Sequence, residues 1–242
     1  MNRPGGRRTR PKALYRWHRR AGIAAALFLI FLAATGVPLQ YSPELGLGSR
    51  HVGIEAILDW YGLQAPATVR SAGGVVGVGD AVYLEDGRPV DRLDGFRGAV
   101  VVDGLVLAAG ADTVLLIDGA SGQVVDRFRR GDIRRVGLLG DRVVLDTASG
   151  TLAADAALVN WAPLTAAGSV DWAQPLPLVG PRAEPYRRHF RATLLSVERL
   201  LQDLHSGRMF GILGVIIVDL ASALLMFLAL SGLLMWWRTY RR

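Results

Sequence analysis

The sequence predicts an α+β membrane protein, with two transmembrane helices flanking an extracytoplasmic antiparallel β-rich domain. Three observations lead there. Mean hydropathy is +0.28, and 51% of the 242 residues are hydrophobic, a balance unusual for a soluble globular chain. Two long apolar runs, 21–39 and 209–237, stand near the two ends. Between them, β-branched residues alternate around Asp-Gly, Gly-Asp and Ser-Gly turns.

The elements follow in chain order. Residues 1–20 form a basic arm with eight Lys/Arg residues from Arg3 to Arg20. Residues 21–41 are the first span, with no charge from Ala21 to Leu39. A bilayer core needs about 20 apolar residues at 1.5 Å each, so this run suffices. A cleaved signal peptide is the rival reading. The apolar stretch is long for one, and Ala33-Ala34-Thr35-Gly36 matches a cleavage site poorly. Residues 209–237 are the second span, interrupted only by Asp219, and 238–242 are a basic tail. Lys/Arg-rich flanks stay cytoplasmic, so both termini are expected in the cytoplasm and the central domain on the outer side of the membrane. Aromatic residues (Tyr15, Trp17, Trp236, Trp237 and Tyr240) line the same interface. Charge placed beside spans marks orientation or anionic lipid, and nucleic-acid binding is not supported.

The central domain is expected over 42–185. The spacing of Ile54, Ile57, Leu58 and Tyr61 predicts a short helix near 54–63. From Val75 to about Trp161 the chain reads as strands, with a weak repeat in Asp80-Ala81-Val82, Asp103-Gly104-Leu105 and Asp141-Arg142-Val143. The stretch Ile117–Val125 resembles a hairpin of a propeller blade. A closed propeller needs at least four blades of about 40 residues, so a small meander or sandwich is expected. The carboxylates sit mostly beside Gly, where Asp builds turns. Residues 161–185 read as an extended connector, and 186–208 as one amphipathic helix entering the second span.

The candidate chemistry lies in the spans. The chain has no cysteine, which excludes disulfides, thiolate-held metals, iron–sulfur clusters, a Cys nucleophile and covalent haem attachment. His18 stands at the inner end of the first span and His205 at the outer end of the second. Small residues lie below each: Gly22, Ala26, Ala33 and Gly36 in the first, and Gly211, Gly214, Ala221, Ser222, Ala229 and Gly232 in the second. Such stripes admit either a helix or a flat ring, and a neutral imidazole can ligate haem iron or simply hydrogen-bond at the interface. Asp219, inside an apolar helix, is costly unless paired. It is expected to face protein or cofactor, as a charge or proton partner or in an interhelical hydrogen bond.

Two segments carry a resemblance. Tyr15-Arg16-Trp17-His18-Arg19-Arg20-Ala21-Gly22 with Leu32-Ala33-Ala34-Thr35-Gly36 resembles the first helix of the PepSY-associated transmembrane-helix family. Asp203-Leu204-His205-Ser206-Gly207-Arg208-Met209-Phe210-Gly211 with Leu228–Trp236 is similar to its closing helix. Larger members are ferric-siderophore reductases of the bacterial inner membrane, with more spans and more histidines. The resemblance implies electron transfer through haem b, with His18 and His205 as iron ligands and Gly22, Gly36 and Gly211 beside the ring. A ferric siderophore would be the acceptor, making the chain an oxidoreductase. Bis-histidine ligation then implies a homodimer or a histidine-bearing membrane partner, with His189 or His51 as further candidates beside His205. The contrasting expectation is a non-catalytic, membrane-anchored accessory protein whose β domain binds a partner or, as the PepSY name suggests, regulates envelope proteases.

Overall fold

The computed structural model describes residues 12–165 and 168–240. Arg3, Arg7, Arg8 and Arg10 of the basic arm, and Arg241 and Arg242 of the tail, lie outside the described residues. The chain divides into a helical unit (1–52 and 195–242) and a β-rich unit (53–194).

In chain order, the helical unit opens with α1 (Lys12–Gln40) and the short α2 (Ser42–Leu45). The β-rich unit begins with α3 (Glu55–Trp60). Its first strands are β1 (Val69–Ala72), β2 (Val75–Val78), β3 (Ala81–Leu84) and β4 (Pro89–Arg92). Next come β5 (Gly98–Val102), β6 (Leu105–Ala109), β7 (Thr113–Asp118) and β8 (Val124–Arg129). Then follow β9 (Ile133–Leu139), β10 (Arg142–Thr147), β11 (Gly150–Ala154) and β12 (Trp161–Pro163). Two short strands, β13 (Asp171–Trp172) and β14 (Leu176–Pro177), precede α4 (Glu184–Ala192). The helical unit resumes with α5 (Val197–His205) and α6 (Gly211–Tyr240). The two long apolar helices are the two spans: His18–Gln40 and Arg208–Leu234 are long and apolar enough to cross a bilayer.

The β-rich unit is three antiparallel sheets, ordered β14-β1-β2-β3-β4, β5-β6-β7-β8 and β12-β11-β10-β9-β13. One apolar cluster joins the first two sheets through Val82, Leu84, Ala99, Leu115 and Ile117. A second joins the middle and last sheets through Leu107, Leu116, Val136, Val143 and Leu145. The middle sheet is therefore buried on both faces, which is why β7 reads as the continuous apolar run Val114-Leu115-Leu116-Ile117. Helix α4 covers the free face of the first sheet, with Tyr186 and Phe190 packed on Val69, Val76 and Tyr83. Three stacked meanders replace the single meander or sandwich expected.

The repeat has a structural counterpart. Asp80, Asp103 and Asp141 stand in the turns of the β2–β3, β5–β6 and β9–β10 hairpins. At Asp103-Gly104 both residues have positive φ, 49° and 78°, the backbone of a hairpin turn whose twist matches the flanking strands.

Two expectations are corrected. The 161–185 connector is not unpaired: β13 adds to β9 and β14 adds to β1, each closing an edge. The single helix expected over 186–208 is two helices, because Ser196 adopts extended backbone and N-caps α5 by accepting a hydrogen bond from the Arg199 N–H at 3.2 Å. Leu195 and Val197 on either side pair with Val52 and Arg50. The first helix also starts at Lys12, within the stretch read as a basic arm.

Candidate functional site in the helical unit

Helix α1 runs 17 residues from His18 to Thr35, about 26 Å at 1.5 Å per residue. From His18 onward its buried positions are Ala25 and Thr35, at 4% and 7% exposure. Helix α5 packs against α1 and delivers His205, at its last residue, onto the Thr35-Gly36 pair. Thr35 Oγ1 lies 2.8 Å from His205 Nδ1. An ideal Cβ on Gly36 would stand 3.1 Å from His205 Cε1, so the missing side chain is what seats the imidazole.

The hydroxyl engages one ring nitrogen of the imidazole, Nδ1. Thr35 Oγ1 donates its one hydrogen to its own helix, to Phe31 O at 3.0 Å shared with Leu32 O at 3.2 Å. In that arrangement it accepts from His205 with the proton on Nδ1, the ring nitrogen's role following the tautomer. Nε2 is left with its lone pair, the form in which an imidazole hydrogen-bonds an outside donor or binds a metal.

Beyond His205 the chain reverses through Gly207 into α6. Gly207 has φ 76°, and its ideal Cβ would lie 2.4 Å from Gly214 O; a Cβ on Gly214 would lie 2.1 Å from Gly207 O. Two glycines packed back to back hold the turn against α6. Arg208 Nε is 3.7 Å from Asp203 and 3.0 Å from Ser206 Oγ.

The other expected site residues are dispersed. His18 is half-buried at the far end of α1. Gly22 and Gly211 have open space where a Cβ would stand, and Gly211 serves a positive φ of 67° at the start of α6. Asp219 is exposed. The covered stripe of α6 runs through the buried Gly214 and the half-buried Val218, Ala221, Leu225 and Gly232, and at 100° per residue Asp219 points well away from it. Within one chain it does not face protein. His189 belongs to the β-rich unit, where its ring meets Tyr83 edge-on at 5.4 Å. His51 forms a β-bridge with Ser196. Among the described residues no three His, Asp or Glu side chains are grouped to hold a metal ion. Thr35 and Gly207 were not singled out from the sequence, although both stand in the quoted motifs. A hydroxyl one residue before a small stripe was the available signal for Thr35.

Carboxylates of the β-rich unit are occupied locally. Asp118 accepts from Ser121 N at 2.6 Å and Asp155 from Asn160 Nδ2 at 2.7 Å. Asp86 accepts from Arg88 N at 3.0 Å. All three are held below the usual carboxylate range, Asp118 by the Ser121 hydroxyl and then its N–H, Asp155 by the Asn160 amide and Asp86 by the Arg88 N–H and side chain.

Fold and site together define a two-span membrane protein that carries a β-rich domain between its spans and seats a histidine of its closing segment on its first helix. The family described as PepSY-associated TM region matches residues 2–239, nearly the whole chain, and the protein belongs to that family. No curated protein matches it.

Proposed function

We propose that this protein is a membrane-anchored accessory protein whose β-rich domain, on the periplasmic side of the inner membrane, docks a partner. The supporting observation is a cluster at the edges of two sheets. Phe128 of β8 and Trp161 of β12 meet with ring centroids 5.7 Å apart. The Arg130 guanidinium carbon lies 5.1 Å from the first ring and 5.7 Å from the second. Arg130 Nε and Trp161 Nε1 are both buried, and neither finds an acceptor among the described residues. Buried donors are ordinarily satisfied, and Arg and Trp dominate the energetic centres of protein interfaces. The buried N–H groups hold the guanidinium on the two rings, and its outer Nη1, which reaches only Arg129 O at 3.4 Å, is the donor that a partner's carboxylate or peptide carbonyl can meet. The turn-bound aspartates fit a domain built for binding.

The test is a photoactivatable residue at Val159, 69% exposed and two positions from Trp161, in the full chain in intact cells. A discrete adduct is expected, lost in Arg130→Ala and weakened in Trp161→Phe, which keeps the ring and removes the N–H. An adduct pattern unchanged by both substitutions sinks the proposal.

A second reading rests on the His205 tautomer. A free Nε2 lone pair, with Nδ1–H held by Thr35, suits an axial ligand of haem b. Haem would supply the one-electron chemistry towards a ferric chelate, and His205 would hold it. His18, about 26 Å along α1, is too far to share the same iron. A Soret band from protein purified from haem-replete cells, lost in His205→Ala, would favour this reading; the accessory role expects a colourless protein.

A further inference from the structure

Helix α6 has a second seam besides its half-buried stripe. Ile212, Ile216, Asp219, Ala223, Met226 and Leu230 follow one another at alternating four- and three-residue spacing, the repeat with which helices pack along their length. Every one is exposed, the four large apolar side chains between 45% and 72%. Asp219 lies eight residues into α6, about 12 Å at 1.5 Å per residue, deep in a hydrocarbon layer about 30 Å thick. A carboxylate at that depth facing lipid is unfavourable unless it is paired. Neither span offers a charged partner: 21–39 carries no charge, and Asp219 is the only charged residue of 209–237.

We propose that this seam is the dimer interface with a second copy of the chain, closed by the two Asp219 side chains. Copies inserted in one membrane share orientation and depth. A two-fold axis along the membrane normal therefore lays the seam against itself, Asp219 opposite Asp219 and Ala223 opposite Ala223. Two carboxyls in contact do not both ionise; sharing one proton, they carry a single charge between them, hydrogen-bond to each other and shield that charge and their oxygens from lipid. Ala223, one turn further on, lets the backbones approach. A lone polar residue in an apolar seam also sets its register. Neither reading of the protein's function requires this contact.

The absence of native cysteine makes the test clean. Single cysteines at Ala223, at Leu225 on the half-buried stripe and at Phe227 are introduced into the full chain and oxidised in native membranes. Disulfide-linked homodimers are expected at Ala223 several-fold above Leu225 and Phe227. Adding Asp219→Leu should weaken dimerisation about tenfold on lipid dilution, the scale of a strong interhelical hydrogen bond; Asp219→Asn, which can still pair, should retain most of it. Equal cross-linking at all three positions, or an Ala223 signal indifferent to Asp219→Leu, overturns the proposal. So does cross-linking from Ala223 only to another membrane protein, which would make a cation on that protein the partner of Asp219.

Discussion

Replacing Thr35 with valine tests the seating of His205 most directly, because the two side chains have nearly the same shape and differ in the hydroxyl. Thr35 is 7% exposed, and its oxygen is the acceptor 2.8 Å from His205 Nδ1. With valine, the Nδ1–H loses that acceptor while Gly36 still presents a flat wall to the ring. Leaving a buried donor unsatisfied costs about 1–3 kcal/mol. Interhelical hydrogen bonds measured in a membrane protein average about 0.6 kcal/mol because released groups find other partners. His205 is only half-buried, so relief by water is available and the lower end applies. A loss of about 1 kcal/mol is expected, which is about a fivefold rise in the local opening of α5 from α1.

Hydrogen exchange on the full chain in detergent reads this opening. Amides of Val197–His205 should exchange about fivefold faster in Thr35→Val, while those of Arg142–Thr147 in the β-rich unit should not change. Nitrogen NMR of labelled histidine gives a second readout: the neutral Nδ1–H form at one histidine of the native protein, lost in the variant. Unchanged α5 exchange together with an unchanged tautomer would refute the reasoning, since both follow from the one hydrogen bond.

Two further perturbations probe the remaining structure. Gly207→Ala places a Cβ 2.4 Å from Gly214 O at a positive φ, so the turn into α6 must shift. A loss of at least about 2 kcal/mol is expected from strain and overpacking together, seen as a lower yield of monodisperse protein and faster exchange across 206–214, whereas Gly22→Ala, with open space beside it, should be silent. Tyr83, whose hydroxyl is pushed up to about 12 by burial and then by the Asp80 charge, stays neutral between pH 10 and 12 while the unfolded chain ionises. The unfolded state binds fewer protons in that window, so the β-rich unit should lose stability as pH rises through it. Tyr83→Phe should flatten that decline in alkaline denaturation, and an identical slope in both proteins would count against the assignment.

How much of this was legible in the sequence depends on the range of the interaction. The spans needed only the two uncharged runs and their basic ends. The hairpin turn at Asp103-Gly104 was legible because its backbone demands those residue types. The stacking of three sheets was not: β7 is apolar on both faces, and a short run of that kind names burial without naming what covers it. The break at Ser196 hid inside a helical period that Phe190, Leu194, Val197 and Leu201 continue by coincidence, although the first two serve the β-rich unit and the last two lie in α5. At the site, His205 was identifiable as an unusual residue at a helix end. Its partner was hidden because Thr35 and His205 are 170 positions apart, and no spacing rule links them.

The same geometry sets what each role demands. A single chain presents one imidazole near each end of α1, about 26 Å apart, so any iron held there takes its second histidine from another copy or another protein. The exposed seam of α6 brings Asp219, not histidine, to a symmetric contact. His205 is instead engaged with Thr35 and Gly36 of α1. A dimer closed through α6 thus meets the need of the lipid-facing carboxylate without completing a haem site. A haem role requires a further contact, on the α1 side where His205 is seated; an accessory role requires only that the Arg130 guanidinium, held on Phe128 and Trp161, meets a partner's oxygen. The two roles therefore call for different surfaces, and substitutions at Arg130 and His205 separate them without disturbing Asp219.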